Sequence, residues 1–152
     1  MGSVSDWKTM VKGAELLKEL QVRHDVRVVS AHRTPERLHA YATALGQQGE
    51  KVVIAAAGGS AHLAGMVAAY TCLPVIGVPM VSSFQDGLDS LLSMVNMPAG
   101  VPVATMAVGE AGATNAALLA AAIVALSDEP LKQRLQAWRQ KQTDNVALRP
   151  PQ

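Results

Sequence analysis

Residues 51–70 read "KVVIAAAGGSAHLAGMVAAY", and the order of their parts decides the fold. In "KVVIAAA" (51–57) the run after Lys51 is continuously apolar to Ala57, the pattern of a strand buried on both faces. Gly58-Gly59-Ser60 is a small-residue turn, and the residues after it have the composition of a helix. A buried strand that turns directly into a helix is the unit of a parallel sheet, because the chain must cross over before it can pair again.

The same unit recurs on either side. Upstream, "DVRVVS" (25–30) reads as a strand, "AHR" as a loop, and Thr34-Pro35 as a helix start with a hydroxyl cap and a proline at the first turn. The helix it opens is expected to run to about Gln48. Downstream come a strand at "PVIGVP" (74–79), a helix through "GLDSLLSMV" (87–95), a strand at "VPVATMAVG" (101–109) and a helix from about Ala113 to Ser127. Near the start, Trp7, Met10, Val11, Ala14, Leu17 and Leu20 have the spacing of a helix with one buried face, and Asp6 stands where a carboxylate can cap it. Alternating strands and helices imply right-handed crossovers: an α/β fold, a three-layer doubly wound parallel sheet.

Two later helices differ in kind. "NAALLAAAIVALS" (115–127) is apolar on nearly every side, so neighbouring subunits are expected to cover what its own domain does not. "PLKQRLQAWRQKQ" (130–142) carries a narrow stripe of Leu131, Leu135 and Trp138, suited to docking on its own core or on a partner. Residues 1–152 are expected to form a single domain, with 129–152 as a carboxyl-terminal helix and loose tail packing on a neighbouring subunit.

Composition narrows the function classes. Apolar residues make up 49% and charged residues 16%, with thirteen basic against twelve acidic side chains. A net charge of +1, with the basic residues spread out except near the carboxyl end, argues against a nucleic-acid partner. No apolar run approaches the roughly 20 residues of a membrane span, so no membrane partner is expected. One cysteine, Cys72, fits a reducing, cytoplasmic setting.

In open parallel sheets ligands bind beyond the carboxyl ends of the strands. "GSVSD" (2–6), "SAHRTP" (30–35) and "AGGSAHLAG" (57–65) all fall on that edge. Gly2, Ser3, Ser5 and Asp6 offer N–H groups, hydroxyls and a carboxylate, suited to a phosphate beside a ribose hydroxyl. Arg33 adds a positive fork, and Gly58-Gly59 admits close approach to the backbone. His32 follows a buried strand, and His62 sits in the first turn of a helix, where imidazolium is disfavoured and a neutral base is favoured. Each element alone has a plainer reading: an ordinary cap for Ser5 or Asp6, a surface charge for Arg33, a hydrogen-bonded structural residue for either histidine. Their meeting on one edge argues for a site. Metal-ligand spacing, a nucleoside triphosphate loop and a nucleophile elbow are all missing, which leaves proton transfer on a phosphorylated small molecule with no metal and no cofactor.

Taken together, "GSVSDW", "VVSAHRTPERL", "AAAGGSAHLAGM", "PVIGVP", "GLDSLLSMVNMPAGVPVAT" and "GATNAALLAA" resemble the N5-carboxyaminoimidazole ribonucleotide mutase family of purine biosynthesis. The resemblance spans nearly the whole chain. It implies a flavodoxin-like fold, an isomerase that moves a carboxyl group from N5 to C4 of a ribonucleotide, no metal or organic cofactor, and a homo-octamer. His32 is then the general acid/base. Ser3, Asp6 and Arg33 bind the ribonucleotide, with Ser5, Ser30, Ala31, Gly58, Gly59 and Leu63 beside it and His62 shaping the pocket. The family's carboxylases, which take aminoimidazole ribonucleotide and carbon dioxide directly, usually carry a lysine after the first histidine and an "AGRSN"-like third segment, so Arg33 and His62 side with the mutases. The alternatives are such a carboxylase, or a truncated, non-catalytic nucleotide-binding or assembly protein.

Two departures stand out. Ala64 replaces the family's usual proline. Relatives also carry an apolar strand just before "GS", where Met1 stands here. In a 2-1-3-4-5 order that strand is central, so its absence is expected to leave two neighbouring strands with unpaired backbone. A start assigned too far downstream would account for it.

Overall fold

The computed structural model describes residues 1–150. Its elements follow the chain as α1 (Trp7–Glu19), α2 (Pro35–Ala44), β1 (Val53–Ala57), α3 (Leu63–Ala68), β2 (Val75–Pro79), α4 (Leu88–Val95), β3 (Ala104–Thr105), α5 (Glu110–Ala125) and α6 (Glu129–Asp144). The three strands are parallel in the order β1-β2-β3, with Val53 opposite Val75 and Ile76 opposite Ala104. Helices cover both sides of the sheet.

Side-chain alternation along the strands sorts the core into two layers. Val53, Ala55 and Ala57 of β1 face Leu38 of α2, Leu63, Ala64 and Val67 of α3, and Met94 of α4. Ala56, Ile76 and Val78 face the other way, onto Ala113, Ala116 and Ala120 of α5. Beyond that layer, Leu16 and Leu17 of α1, and Leu20 just after it, pack with Ala117, Ala121 and Ala125 of α5 and with Leu131 and Leu135 of α6. The alanines let these backbones approach closely: a Cβ on Gly13 would lie 2.7 Å from the carbonyl oxygen of Ala113.

The stripe on α6 is therefore used within the chain. Arg134 Nε also donates to the Leu20 carbonyl at 2.8 Å, and the Asp128 carboxylate caps the helix by accepting from the Leu131 N–H at 2.9 Å. Past Trp138 the helix is exposed, except for partial cover at that residue. Of the expected tail, Pro151 and Gln152 lie outside the described residues. On α5, Leu118, Leu119, Ile123 and Val124 are only half-buried.

Several expected boundaries shift. Residues 25–30 are extended but form no ladder, because little chain lies between them and β1. Met1 alone bridges to them, its N donating to Arg27 O at 2.9 Å and its O accepting from Val29 N at 2.8 Å, while Gly2 N donates to Ala56 O at 2.9 Å. Met1-Gly2 thus occupies the central strand position for two residues, and Val26 and Val28 remain exposed. The strand expected over 101–109 contracts to Ala104–Thr105, with Pro102 unable to donate and Gly109 at φ +78° turning the chain out. Helix α2 stops at Ala44 rather than near Gln48, since Gly46 and Gly49 both adopt left-handed φ and the Glu50 carboxylate collects the N–H groups of Gly46 and Gln48. Helix α5 starts three residues earlier than expected, at Glu110, and ends at Ala125.

Candidate active site

The first strand-helix turn is built by a reciprocal cap. Ser3 Oγ accepts from the Ser5 N–H and hydroxyl, at 3.3 and 2.8 Å, while the Asp6 carboxylate reaches back to the Ser3 N–H at 2.9 Å. The element capped is a short 3-10 turn, Val4–Asp6, that leads into α1; Asp6 makes no side-chain cap to α1 itself. Gly2 anchors this turn at the carboxyl end of β1 through Ala56. Thr34 likewise differs from the expected cap of α2. Its hydroxyl donates to the Ser30 carbonyl at 2.8 Å and accepts from the Ser30 N–H at 3.1 Å, closing the "SAHRT" loop on itself.

Hydrogen bonds join the three segments on one edge. Arg33 Nε donates to Ser30 Oγ at 3.1 Å, and its Nη2 reaches the Gly2 carbonyl at 3.4 Å. His32 Nε2 and His62 Nδ1 lie 3.1 Å apart with the rings edge to face. With both rings neutral, one of these nitrogens carries the hydrogen and the other accepts it, so the pair sets which nitrogen of each ring remains for other work. His62 stands at the N-cap position of α3 and makes no side-chain cap bond there.

Between the segments opens a cleft of about 480 Å³, a size typical of small-molecule sites. Ser3, Ser5, Asp6, Ser30, Ala31, His32, Arg33, Gly58, Gly59 and Leu63 all line it. His62 does not line it and joins through His32. The segment 57–65 placed on this edge also supplies Ala57 and Ser60, and the sequence reading missed Met80, Val81 and Ser82, which complete the wall. The signal for the last three was available: they follow the carboxyl end of β2, the same edge on which the other segments were placed.

The wall after β2 is itself organised by a carboxylate. Asp89 Oδ1 accepts from the Ser82 hydroxyl at 2.5 Å and from the Ser90 N–H at 2.8 Å. The Ser82 hydrogen bond, followed by those from Ser90, holds the Asp89 carboxyl below its ordinary range against a smaller opposing desolvation. Among the described residues, no cluster of three or more His, Cys, Asp or Glu side chains could hold a metal ion, and no helix is long and apolar enough to cross a membrane.

The chemistry gathered here is an anion-binding turn, a fixed guanidinium and a histidine pair around one cleft, and proteins with the same order of segments are known. A protein of Brucella melitensis named N5-carboxyaminoimidazole ribonucleotide mutase is 59% identical over 150 residues, covering 99% of this chain and 93% of that one. A protein of the same name from Escherichia coli K12 is 55% identical over 150 residues, covering 99% of this chain and 89% of the other. The crystal structure of Treponema denticola PurE superposes with a TM-score of 0.86 at 30% identity, covering 95% of this chain and 89% of that chain. The flavodoxin-like α/β architecture is common to both. The family model described as AIR carboxylase matches residues 1–145, which include every segment of the cleft, and the chain belongs to that family.

Proposed function

We propose that this protein is an isomerase converting N5-carboxyaminoimidazole ribonucleotide to 4-carboxy-5-aminoimidazole ribonucleotide in purine biosynthesis. The observation that carries the reading is the cleft in which His32, paired with His62, meets Arg33 and the Ser3–Asp6 turn, in a chain 59% identical to a protein bearing the mutase name.

The residues have complementary tasks. Arg33 and the hydroxyls of Ser3 and Ser5 bind the ribonucleotide phosphate, and the Asp6 carboxylate accepts from ribose hydroxyls. Ser30, Ala31, Gly58, Gly59 and Leu63 enclose the base. The N5–carboxyl bond breaks, releasing carbon dioxide inside the cleft while N5 takes a proton from His32. C4 then attacks the retained carbon dioxide, and the proton on C4 returns to His32. One imidazole that gives and recovers a proton suits an isomerisation without net proton change. Retaining carbon dioxide beside C4 replaces a bimolecular encounter with a positioned one, worth several kcal/mol of barrier by effective-molarity estimates of roughly 7 to 11 kcal/mol at best. His62 keeps the His32 ring oriented and does not itself transfer the proton.

The assembly belongs to the same reading. The chain acts as a single domain in a homo-octamer in the cytoplasm, with the half-buried flank of α5 and the exposed end of α6 meeting neighbouring subunits. Two features support this: Leu118, Leu119 and Ile123 lack full cover, and Val146 and Leu148 are exposed.

The test is isomerisation by the purified 152-residue chain, followed by the appearance of the C4-carboxylated product, beside the His32→Asn variant. We expect turnover from the first and none from the second, with ribonucleotide binding retained. Wild-type turnover in His32→Asn would remove the acid/base role. Carboxylation of aminoimidazole ribonucleotide that depends on added bicarbonate, without isomerisation, would assign a carboxylase instead.

A further inference from the structure

Ser90 is the one buried polar residue among the described residues, fully enclosed on the first turn of α4. Its Oγ accepts from the Gly59 N–H at 2.8 Å. One turn further along the helix, the Ser93 hydroxyl donates to the Asp89 carbonyl at 2.6 Å and reaches the Gly59 carbonyl at 3.3 Å. Both backbone groups of Gly59 are therefore held from α4. Asp89 lies between these serines and the opposite wall of the cleft, where it receives the Ser82 hydroxyl.

The turn being held needs holding. Gly59 adopts a left-handed φ of +69°, and a Cβ on Gly58 would come within 3.2 Å of Met80 Cβ. A glycine pair is the most conformationally free dipeptide available, so its single observed conformation must come from outside the turn. The turn also lies between β1 and His62, so a displacement of Gly59 carries over to the ring that meets His32.

We propose that Ser90 is a positioning residue for the carboxyl transfer, acting through the Gly59 N–H to keep the Gly58-Gly59 wall closed over the released carbon dioxide, with Ser93 and Asp89 extending the same restraint to the Gly59 carbonyl and to Ser82. This rests on the isomerase reading above. It implies that the Gly59 N–H faces α4 and is engaged there, so this group takes no part in binding the ribonucleotide. Removing the Ser90 hydroxyl leaves that half-buried N–H without its partner on α4 and frees the wall.

The consequence is a leak. Once the N5–carboxyl bond has broken, a loose wall lets carbon dioxide escape before C4 attacks, and the variant discharges aminoimidazole ribonucleotide and carbon dioxide as separate products. The reaction stops halfway, with the proton that His32 gave to N5 left on the released aminoimidazole ribonucleotide and replaced on His32 from solvent. A change of this kind lowers kcat for the isomer while KM stays near that of the unaltered protein, because the groups that bind the phosphate and ribose are untouched.

The experiment measures, for the full chain and for Ser90→Ala, Ser90→Thr and Ser93→Ala, the ratio of aminoimidazole ribonucleotide released to C4-carboxylated product formed. Thermal unfolding of each variant is followed in parallel. Leu135→Ala, which opens a hole in the α1-α5-α6 core away from the cleft, serves as the control for lost stability alone. We expect the ratio to rise by about 10-fold in Ser90→Ala, less in Ser93→Ala, and to return toward the unaltered value in Ser90→Thr, which keeps the hydroxyl. Leu135→Ala should unfold at lower temperature with its product ratio unchanged. If Ser90→Ala is recovered unfolded, half-buried Ser93→Ala decides: a raised ratio supports the proposal and an unaltered one overturns it. An unaltered ratio in folded Ser90→Ala, with isomerisation intact in the parent, overturns the positioning role alone. Absence of isomerisation in the parent overturns the isomerase reading itself.

Discussion

At the scale of single residues, the cleft is a set of groups whose hydrogen bonds are already assigned before any ligand arrives. Arg33 is an example. Its Nε on Ser30 and Nη2 on the Gly2 carbonyl fix the guanidinium plane, leaving its position set by two loops rather than by a bound anion. A preplaced charge loses little freedom on binding, which is how a long side chain on an exposed edge becomes a specific phosphate partner. Arg33→Ala is therefore expected to raise KM for the ribonucleotide by about 10-fold or more, consistent with losing a charge-assisted hydrogen bond of roughly 1.5 to 3 kcal/mol. Initial-rate kinetics with the ribonucleotide checks this. A KM equal to that of the parent would place the anion elsewhere. The carboxylates are engaged as well: Asp6 accepts from the Ser3 N–H and Asp89 from Ser82 and Ser90, and for Asp89 these hydrogen bonds favour the charged form. A carboxyl held below its ordinary range contributes to stability above that range, and this contribution is lost as acid protonates it.

At the scale of elements, the close approach of α1 to α5 is the contact most sensitive to a small change. Gly13 is a poor helix residue, costing about 1 kcal/mol relative to alanine in a helix interior. Here that cost is offset by proximity, because a Cβ at Gly13 would sit 2.7 Å from Ala113 O and the obstacle is backbone rather than a movable side chain. Overpacking of this sort costs about 1 to 3 kcal/mol. Gly13→Ala should thus destabilise the chain despite the better helix propensity, seen as a lower urea midpoint. An unchanged or higher midpoint would mean that α1 can slide on α5 freely. Such sliding would also move the 3-10 turn that presents Ser3 and Ser5, since that turn runs directly into α1.

At the scale of the molecule, the sheet is narrow for its helices. Among the described residues three regular strands carry six α-helices, and residues 25–29 are linked to β1 by backbone hydrogen bonds through Met1-Gly2. Helix α5 sits centrally, covered by β2, α1 and α6 on one side, with Leu118, Leu119 and Ile123 half-buried on the rest. Sedimentation of the purified chain is expected to give eight times the 15.9 kDa protomer. A protomer-sized species would show that the α5 flank tolerates water and would remove the octamer from the proposal.

The periodicities that read directly from the residues were those made by one element against one neighbour. The apolar run at 53–57, the turn at Gly58-Gly59 and the helix spacing from Trp7 to Leu20 each express a local rule, and each stands in the structure within a few residues. The three-segment edge was also legible, because the carboxyl ends of parallel strands converge whatever the details of the loops. Pairing was another matter. Residues 25–30 have strand composition, yet a strand exists only where another backbone lies alongside, and one bridge through Met1 is not a ladder. The caps moved for a similar reason: Thr34 and Asp6 had several donors and acceptors within reach, and the closure of the loop chose among them. Ser90 was the least visible of all. In the chain it is one serine in "LDSLLSMV", and only the packing of α4 against the turn after β1 brings its hydroxyl to the N–H of a glycine thirty-one residues earlier. Composition and spacing determined the fold class and the edge where chemistry gathers, since both follow from short-range rules. Which hydroxyl meets which backbone group was decided by the tertiary structure, because hydrogen bonds across elements depend on distances that local sequence does not contain.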